Sequence, residues 1–245
     1  MKAMVLAAGL GTRLRPLTDN CPKALVKVGG RTLVEIVLGR LKSFGVREAI
    51  VNVHHFAGMV EEYLAANGNF GMRIEISREE ELLDTGGGLK KAAWFFAGED
   101  GPFLLHNVDV LSTIDLGRMT QVHKEQGALA TLAVEQRESS RVLLFDAEGW
   151  LCGRRAGRGA APQWARAAGD AKELAFAGIH VISPKIFDKI AEQGSFSIID
   201  AYLRLAAAGE KVSAFRVDGC AWRDVGRPES LMAAEQEIEA GKFPV

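Results

Sequence analysis

The sequence has few cysteines and no excess of one charge. Its 245 residues include three cysteines, Cys21, Cys152 and Cys220, with no CxxC pair among them. Scattered thiols of this kind exclude a disulfide framework and a CxxC zinc site, and they predict a cytoplasmic protein with reduced cysteines. The 30 Lys and Arg residues almost balance the 31 Asp and Glu residues, giving a formal net charge of −1. We therefore expect neither a broad nucleic-acid surface nor a membrane-binding surface.

Long hydrophobic runs are also missing. No apolar stretch approaches the roughly 18 residues that cross a bilayer, and the N-terminal apolar run is too short for a secretory signal. With 48% hydrophobic and 25% charged residues, the composition is typical of a globular protein that buries a core without disulfides or metals. Glycine is the unusual component, at 27 residues. The positions of the glycines are therefore informative.

Short apolar segments typical of strands alternate with helical patterns over the first half of the chain. Residues 3–8, 48–53 and 102–106 have the character of buried strands, whereas residues 32–44 carry an apolar stripe at helical spacing. This alternation predicts βαβ units with right-handed crossovers. The fold class expected from it is α/β, with a Rossmann-like, doubly wound mixed sheet.

The pattern changes after residue 135, where the predicted strands become shorter and their connections looser. Residues 154–170 are rich in Gly, Ala and Arg with little periodicity, and they predict a mobile loop. Strand signals resume after this segment. One domain over residues 1–245 is therefore the simplest interpretation, with 1–135 and 136–245 as two halves on the same sheet.

A glycine-rich loop with basic residues follows the first predicted strand. The chain runs from Leu6 through Gly9 and Gly11 to Arg13, and Lys23 follows after a proline. Small residues allow backbone N–H groups to approach a phosphate closely, and arginine adds bidentate contacts to it. Since α/β folds bind ligands at the carboxyl ends of their strands, the sequence predicts a phosphate site here.

Two common phosphate loops do not fit this segment. A P-loop needs Gly-Lys-Ser or Gly-Lys-Thr, and the sequence contains neither. The dinucleotide motif GxGxxG fits Gly9 and Gly11, but its third position is Leu14, whose bulk opposes close packing of helix on strand. A Rossmann oxidoreductase is therefore disfavoured.

The segment from residue 6 to residue 18, L-A-A-G-L-G-T-R-L-R-P-L-T, together with Pro22-Lys23, resembles the signature of sugar-1-phosphate nucleotidyltransferases. The resemblance extends over essentially the whole chain. It is closest to short bacterial enzymes of the N-acetylmuramate-1-phosphate uridylyltransferase and mannose-1-phosphate guanylyltransferase kind. It implies a single glycosyltransferase-A-like domain, in which residues 1–135 bind the nucleotide and residues 136–245 bind the sugar.

The implied reaction is an in-line displacement. A sugar-1-phosphate oxygen attacks the α-phosphorus of a nucleoside triphosphate, UTP or GTP being favoured, and pyrophosphate leaves. Two polyanions must meet, so the site needs cations and alignment more than a general base. By resemblance, Arg13 binds the β- and γ-phosphates, and Lys23 binds the α-phosphate and the sugar phosphate. Asp109, which follows a predicted strand, and Asp224, in Trp-Arg-Asp-Val-Gly, would hold Mg²⁺.

The resemblance also implies contacts to the nucleotide and the sugar. Asp84-Thr-Gly-Gly-Gly forms a second glycine cluster, where relatives recognise the base. The predicted nucleotide contacts are Leu6, Ala8, Gly9, Gly11, Thr12, Arg13, Thr85, Gly86 and Gly87. The predicted sugar contacts are Asn107, Gly178 and Arg154. Many relatives carry a Glu-Lys pair near the last of these positions, and here Arg154 or Arg155 would have to replace it.

An alternative hypothesis is a non-catalytic, sugar-nucleotide-binding regulatory protein on the same fold. The missing Glu-Lys pair and the valine at position 108, where relatives have glycine, favour that alternative. The presence of Arg13, Lys23, Asp109 and Asp224 together favours the enzyme. The expected partners are an NTP and a sugar 1-phosphate. The sequence leaves the base, the sugar and the choice between monomer and homodimer open.

Overall fold

The computed structural model describes residues 1–243, and Pro244 and Val245, which end the predicted domain, lie outside the described residues. The strands are β1 (Lys2–Leu6), β2 (Lys27–Val28), β3 (Arg31–Thr32), β4 (Glu48–Val53), β5 (Arg73–Arg78), β6 (Phe103–Asn107), β7 (Val110–Ser112), β8 (Ala130–Glu135), β9 (Arg141–Phe145), β10 (Leu151–Ala156), β11 (Gln163–Trp164), β12 (Lys172–Ile182), β13 (Val212–Arg216) and β14 (Trp222–Asp224). The helices are α1 (Leu33–Ser43), α2 (Ala57–Ala66), α3 (Asp84–Lys91), α4 (Ala93–Phe96), α5 (Leu116–Gln126), α6 (Ile198–Ala207) and α7 (Pro228–Glu239).

One mixed sheet runs through both halves of the described chain, in the order β11-β10-β9-β12-β6-β1-β4-β5, with β8 and β13 joined to it through β12. The strands β6, β1, β4 and β5 are parallel neighbours, whereas β12 is antiparallel to β6, β8 and β9. The predicted α/β class and mixed sheet are confirmed. No helix among residues 1–243 is long and apolar enough to cross a membrane.

Apolar side chains on the two faces of β1 enter two different cores, as the alternation of a strand requires. Ala3 and Val5 pack in a cluster with α1, whereas Met4 packs in a second cluster with Phe103 and Leu89. Burial on both faces explains why this strand is a continuous apolar run in the sequence. Strands covered on both faces hold the backbone at their carboxyl ends in fixed positions.

The register of the parallel strands places three of those ends together. Leu6 at the end of β1 lies opposite Asn52 of β4 on one side and Asn107 of β6 on the other. The glycine-rich loop and the segment that contains Asp109 therefore leave the same edge of the sheet. This edge is the expected ligand crevice of an open α/β sheet.

The predicted loop at residues 154–170 needs a correction, because part of it is paired. β10 continues to Ala156, and β11 pairs with it antiparallel, with Trp164 opposite Gly153. A Cβ on Gly153 would lie 2.7 Å from the Gln163 carbonyl oxygen, so the strands approach closely at a glycine. A short hairpin edge held by small residues has too little apolar periodicity to be recognised in the sequence.

Candidate active site

A cavity of about 530 Å³ lies at the carboxyl ends of β1, β4 and β6, and we refer to it as the first cavity. Its walls include ten of the residues predicted to act on the substrates: Leu6, Ala8, Gly9, Gly11, Thr12, Arg13, Lys23, Thr85, Asn107 and Asp109. The predicted phosphate loop and the predicted aspartate thus face one space.

The glycine-rich loop is shaped by close packing at one glycine and open space at another. Gly11 has φ +66°, and a Cβ there would lie 2.9 Å from Thr18 Cγ2 and 3.2 Å from Lys23 Cβ. Gly9 differs, because a Cβ on it would have no protein atom within 4 Å. Gly11 therefore packs the loop against Lys23, whereas the backbone at Gly9 is open to the cavity and can approach a ligand.

Lys23 and Asp109 form an ion pair at the floor of the first cavity. Only 10% of the lysine side chain and 15% of the aspartate side chain are exposed. Lys23 begins a short 3₁₀ turn directly after Pro22, whose backbone is extended, and this turn directs the lysine inward. A partly buried ammonium with a carboxylate partner is well placed to meet a phosphate, since charge interactions strengthen away from water.

Asp224 reaches the same place from a distant part of the sequence. β14 pairs with β7, which puts Asp224 opposite Val110, and the Val225 amide donates to the Asp109 carbonyl oxygen at 2.8 Å. The Gly226 amide donates to Asp224 Oδ1 at 2.6 Å. These bonds hold the segment 224–226 against the strand end that contains Asp109.

Gly226 shows how closely the charged groups converge. A Cβ on this residue would lie 2.6 Å from Asp224 Oδ1, 3.2 Å from an Arg13 guanidinium nitrogen and 3.3 Å from Lys23 Nζ. Two cations and a carboxylate from three separate segments thus surround a single glycine. The second carboxylate, Asp109, is already in contact with the lysine.

The two aspartates suit one particular kind of metal. Among residues 1–243 no three or more His, Cys, Asp and Glu side chains form a metal-binding group, so a site built wholly from protein ligands is absent there. Mg²⁺ commonly takes one or two carboxylates and completes its shell with water and substrate phosphates. Asp109 and Asp224, next to a phosphate-sized space, fit this arrangement.

Four predicted contacts to the nucleotide or the sugar do not line the first cavity: Gly86, Gly87, Gly178 and Arg154. Gly86 and Gly87 lie inside α3, where a Cβ would lie 2.3 Å from the Phe196 ring and 2.4 Å from the Gly194 carbonyl oxygen, respectively. These glycines allow α3 to pack against the segment 194–196. Arg154 instead pairs with Asp200 at 2.5 Å, outside the walls of the cavity.

The other two residues discussed for the sugar occupy different surroundings. Arg155 is paired with Glu173, so neither arginine of this strand faces the first cavity. Gly178 has φ +78°, and a Cβ there would lie 3.0 Å from Asn107 Nδ2 and 2.8 Å from Val110 Cγ2. Gly178 therefore allows the Asn107 side chain, which does line the cavity, to lie against β12.

A buried polar network in the cavity wall was not predicted from the sequence. Asn52 Oδ1 accepts from the Ala7 amide at 2.7 Å, and its Nδ2 donates to Glu79 Oε1 at 2.7 Å. Glu79 Oε2 accepts from the Leu83 amide at 3.0 Å. The network ties the start of the glycine-rich loop to the segment before α3. A lone asparagine in the apolar strand EAIVNV was the available signal.

A second cavity, of about 700 Å³, adjoins the first, because Arg13 lines both. We call it the arginine cavity, since its walls contain Arg13, Arg137, Arg141, Arg223 and Arg227, together with Trp222 and Asp224. Of these residues, only Arg13 and Asp224 were predicted to act on the substrates. Trp222 and Arg223 precede Asp224 in the same motif, whereas Arg137, Arg141 and Arg227 belong to no motif.

Comparisons with known proteins identify the family. A model of the family described as nucleotidyl transferase matches residues 2–143 and 161–241. An N-acetylmuramate alpha-1-phosphate uridylyltransferase of Caulobacter vibrioides is 36% identical, with 96% of each chain covered. A protein of the same description from Neisseria meningitidis serogroup B is 32% identical, with 99% of this chain and 100% of that protein covered. The UTP-bound UGPase of Acinetobacter baumannii has a similar fold, with a TM-score of 0.79 at 21% identity over 97% and 92% of the two chains.

The chain belongs to the nucleotidyl transferase family. The resemblance in the glycine-rich loop is thereby confirmed, and with it the prediction of an enzyme that joins a nucleotidyl group to a sugar 1-phosphate. The relatives do not support the regulatory alternative, because both are named as transferases.

Proposed function

We propose that the protein transfers the uridylyl group of UTP to N-acetylmuramate 1-phosphate and releases pyrophosphate. Two relatives named for this activity support the choice of substrates, since each is at least 32% identical and almost completely covered. The observation that carries the catalytic part is the convergence of Arg13, Lys23 and Asp224 around Gly226, beside Asp109.

In the proposed reaction, an oxygen of the sugar phosphate attacks the α-phosphorus of UTP. A new P–O bond forms, the bond from the α-phosphorus to the bridging oxygen breaks, and pyrophosphate leaves with that oxygen. Lys23 lies where the α-phosphate and the sugar phosphate would meet, and it stabilises the negative charge that they share. Arg13, at the junction of the two cavities, binds the β- and γ-phosphates.

Asp109 and Asp224 would hold Mg²⁺ in this proposal. Their carboxylates suit this ion, which supplies charge neutralisation to the phosphates when bound. The protein's own contribution is to fix the carboxylates through the β7–β14 pairing and the bond from the Gly226 amide. Fixed ligands and cations need little rearrangement during the reaction, which is the main source of electrostatic catalysis.

We assign the nucleotide to residues 1–135 and the sugar to residues 136–245. The first cavity supports the assignment, because the loop at Gly9 and the residue Thr85 lie on its walls. Gly86 and Gly87 act through the packing of α3, so their effect on the base is indirect. We propose a cytoplasmic location, supported by three cysteines that remain separate thiols.

A direct test mixes the protein with UTP, N-acetylmuramate 1-phosphate and Mg²⁺ and measures pyrophosphate. We expect release that needs both substrates and stops on chelation of the metal. GTP and other sugar 1-phosphates form the comparison panel. If nucleotide binds but no pair of substrates yields pyrophosphate, the regulatory alternative replaces the proposal.

A further inference from the structure

The arginine cavity carries more positive charge than one sugar phosphate requires. Five arginines and one aspartate line it within the described chain. Arg13 is assigned to the phosphates of UTP, and Asp224 faces the metal end of the site. The charge of the remaining four arginines has no explanation in the transfer reaction itself.

Two of these four are already neutralised. Arg223 donates to Glu237 at 2.8 Å, and its guanidinium holds the pKa of that carboxyl below the ordinary value. Arg137 pairs with Glu135 at 2.7 Å and lies over the Trp222 ring at 4.1 Å. These contacts hold both arginines in fixed positions, so they form the wall of the cavity rather than free cations.

Arg141 and Arg227 differ from that pair. Each lines the cavity and is exposed, and among residues 1–243 neither has a side-chain hydrogen bond or an acidic partner. Arg141 begins β9, whereas Arg227 immediately precedes α7, at the positive end of that helix. Two guanidinium groups without partners offer up to ten N–H donors to a ligand that enters the cavity.

We infer that Arg141 and Arg227 bind a carboxylate on the acceptor sugar, so that the enzyme selects a sugar-acid 1-phosphate over its neutral counterpart. The inference rests on the proposed function, because it takes the arginine cavity as the acceptor side. Asp224 itself lines this cavity, so a sugar phosphate held near Lys23 and Asp224 can direct its sugar ring into it. Arginine binds carboxylates in a bidentate geometry that neutral hydroxyls cannot match.

The chemistry of the proposed acceptor gives a matched pair of substrates. N-acetylmuramate is N-acetylglucosamine with an added lactyl ether, whose carboxylate is the only further charge. The two 1-phosphates therefore share the phosphate, the ring and the acetamido group. A difference between them measures recognition of the carboxylate and little else.

The experiment measures kcat and KM with both acceptors at saturating UTP, for the wild-type protein and for Arg141→Gln and Arg227→Gln. We expect each variant to raise KM for N-acetylmuramate 1-phosphate by about 10- to 100-fold, the value of one charge-assisted hydrogen bond. The kcat and KM for N-acetylglucosamine 1-phosphate should remain unchanged. Unchanged turnover of this acceptor would also show that the variants are folded. The control is Arg47→Gln, because Arg47 is exposed at the opposite, amino end of β4 and should affect neither acceptor.

The outcomes separate the inference from the function on which it rests. Wild-type turnover with equal KM for both acceptors, unchanged in the variants, would overturn the carboxylate site while leaving nucleotidyl transfer intact. Equal losses with both acceptors would also overturn it, because they would place the two arginines on the phosphate. If the wild-type protein turned over neither of the two acceptors, that result would instead contradict the proposed function.

Discussion

The two cavities that meet at Arg13 are built in different ways. The first cavity is formed by backbone and buried groups at the ends of parallel strands, with Gly9 open to it and Lys23 paired to Asp109 beneath. The arginine cavity is formed by long side chains from segments far apart in the sequence, two of them without partners in the described chain. The first cavity is therefore held by main-chain and buried contacts, whereas the arginine cavity presents exposed side chains that can adapt to a ligand.

The largest effect should come from the aspartate at the floor of the first cavity. Asp109→Asn removes the negative charge that holds Lys23 and would bind the metal, while preserving the side-chain shape. We expect kcat to fall by about 10²- to 10³-fold with little change in melting temperature. Asp100→Asn is the control, because Asp100 is exposed in a loop away from the site. Near-wild-type turnover of the Asp109 variant would contradict the assignment of this carboxylate.

A smaller loss should follow from filling the space between the cavities. Gly226→Ala places a methyl group 2.6 Å from Asp224 Oδ1 and close to Arg13 and Lys23. We expect kcat/KM to fall by about 10- to 100-fold with both acceptors, because all three charged groups must shift. The matched control is Gly39→Ala on α1, where a Cβ meets nothing within 4 Å. Full activity of the Gly226 variant would show that the groups do not need this convergence.

The arginine-cavity variants come next in size, since only the carboxylated acceptor should respond to them. The arginine variants should weaken turnover of N-acetylmuramate 1-phosphate alone, whereas the Gly226 variant should weaken turnover of both acceptors. This contrast is the clearest functional difference between the two cavities.

A change in α3 should alter stability more than chemistry. Gly86→Ala directs a methyl group to within 2.3 Å of the Phe196 ring and 2.9 Å of the Phe196 carbonyl oxygen. We expect the free energy of unfolding to fall by about 1–3 kcal/mol, as overpacking does, with the affinity for UTP nearly unchanged. Denaturant titration and nucleotide binding would measure the two effects. Unchanged stability with much weaker UTP binding would support direct contact between this glycine and the base.

The smallest effect concerns two buried histidines on the neighbouring strands β6 and β12. Burial lowers the pKa of His106 on β6 to about 4 and that of His180 on β12 to about 3. In the unfolded chain both titrate near about 6.5, so below that pH the unfolded state binds more protons and stability falls. The free energy of unfolding, measured by denaturant titration at several pH values, therefore falls as the pH falls from 6.5 to 4. We expect His180→Gln to reduce the slope of this free energy against pH by up to about 1.4 kcal/mol per pH unit. An unchanged slope would show that His180 is hydrated in the folded protein.

The site was predictable where its residues are close together in the sequence. Gly9, Gly11, Arg13 and Lys23 lie within one loop, and the structure places all four on the first cavity. Asp109 could be placed because residues that follow parallel strands share one edge of the sheet.

The remaining contacts depend on packing between distant segments. Gly86 and Gly87 form a glycine cluster that suits a ligand loop, yet the residues that require their small size are Phe196 and Gly194, more than 100 positions away. Arg141 and Arg227 belong to no pattern, since only the fold brings them beside Arg13. Long-range contacts of this kind leave no local signal in a single sequence.

The most direct test of the central claim is a ³¹P NMR time course of UTP, N-acetylmuramate 1-phosphate and Mg²⁺ with the protein. We predict that the triphosphate and sugar monophosphate signals decline together, while pyrophosphate and a sugar-linked diphosphate appear in equal amounts. Formation of UMP and pyrophosphate without the sugar-linked diphosphate would show hydrolysis instead of transfer. That result would contradict the proposed transfer, in which the two cavities bring the two substrates together.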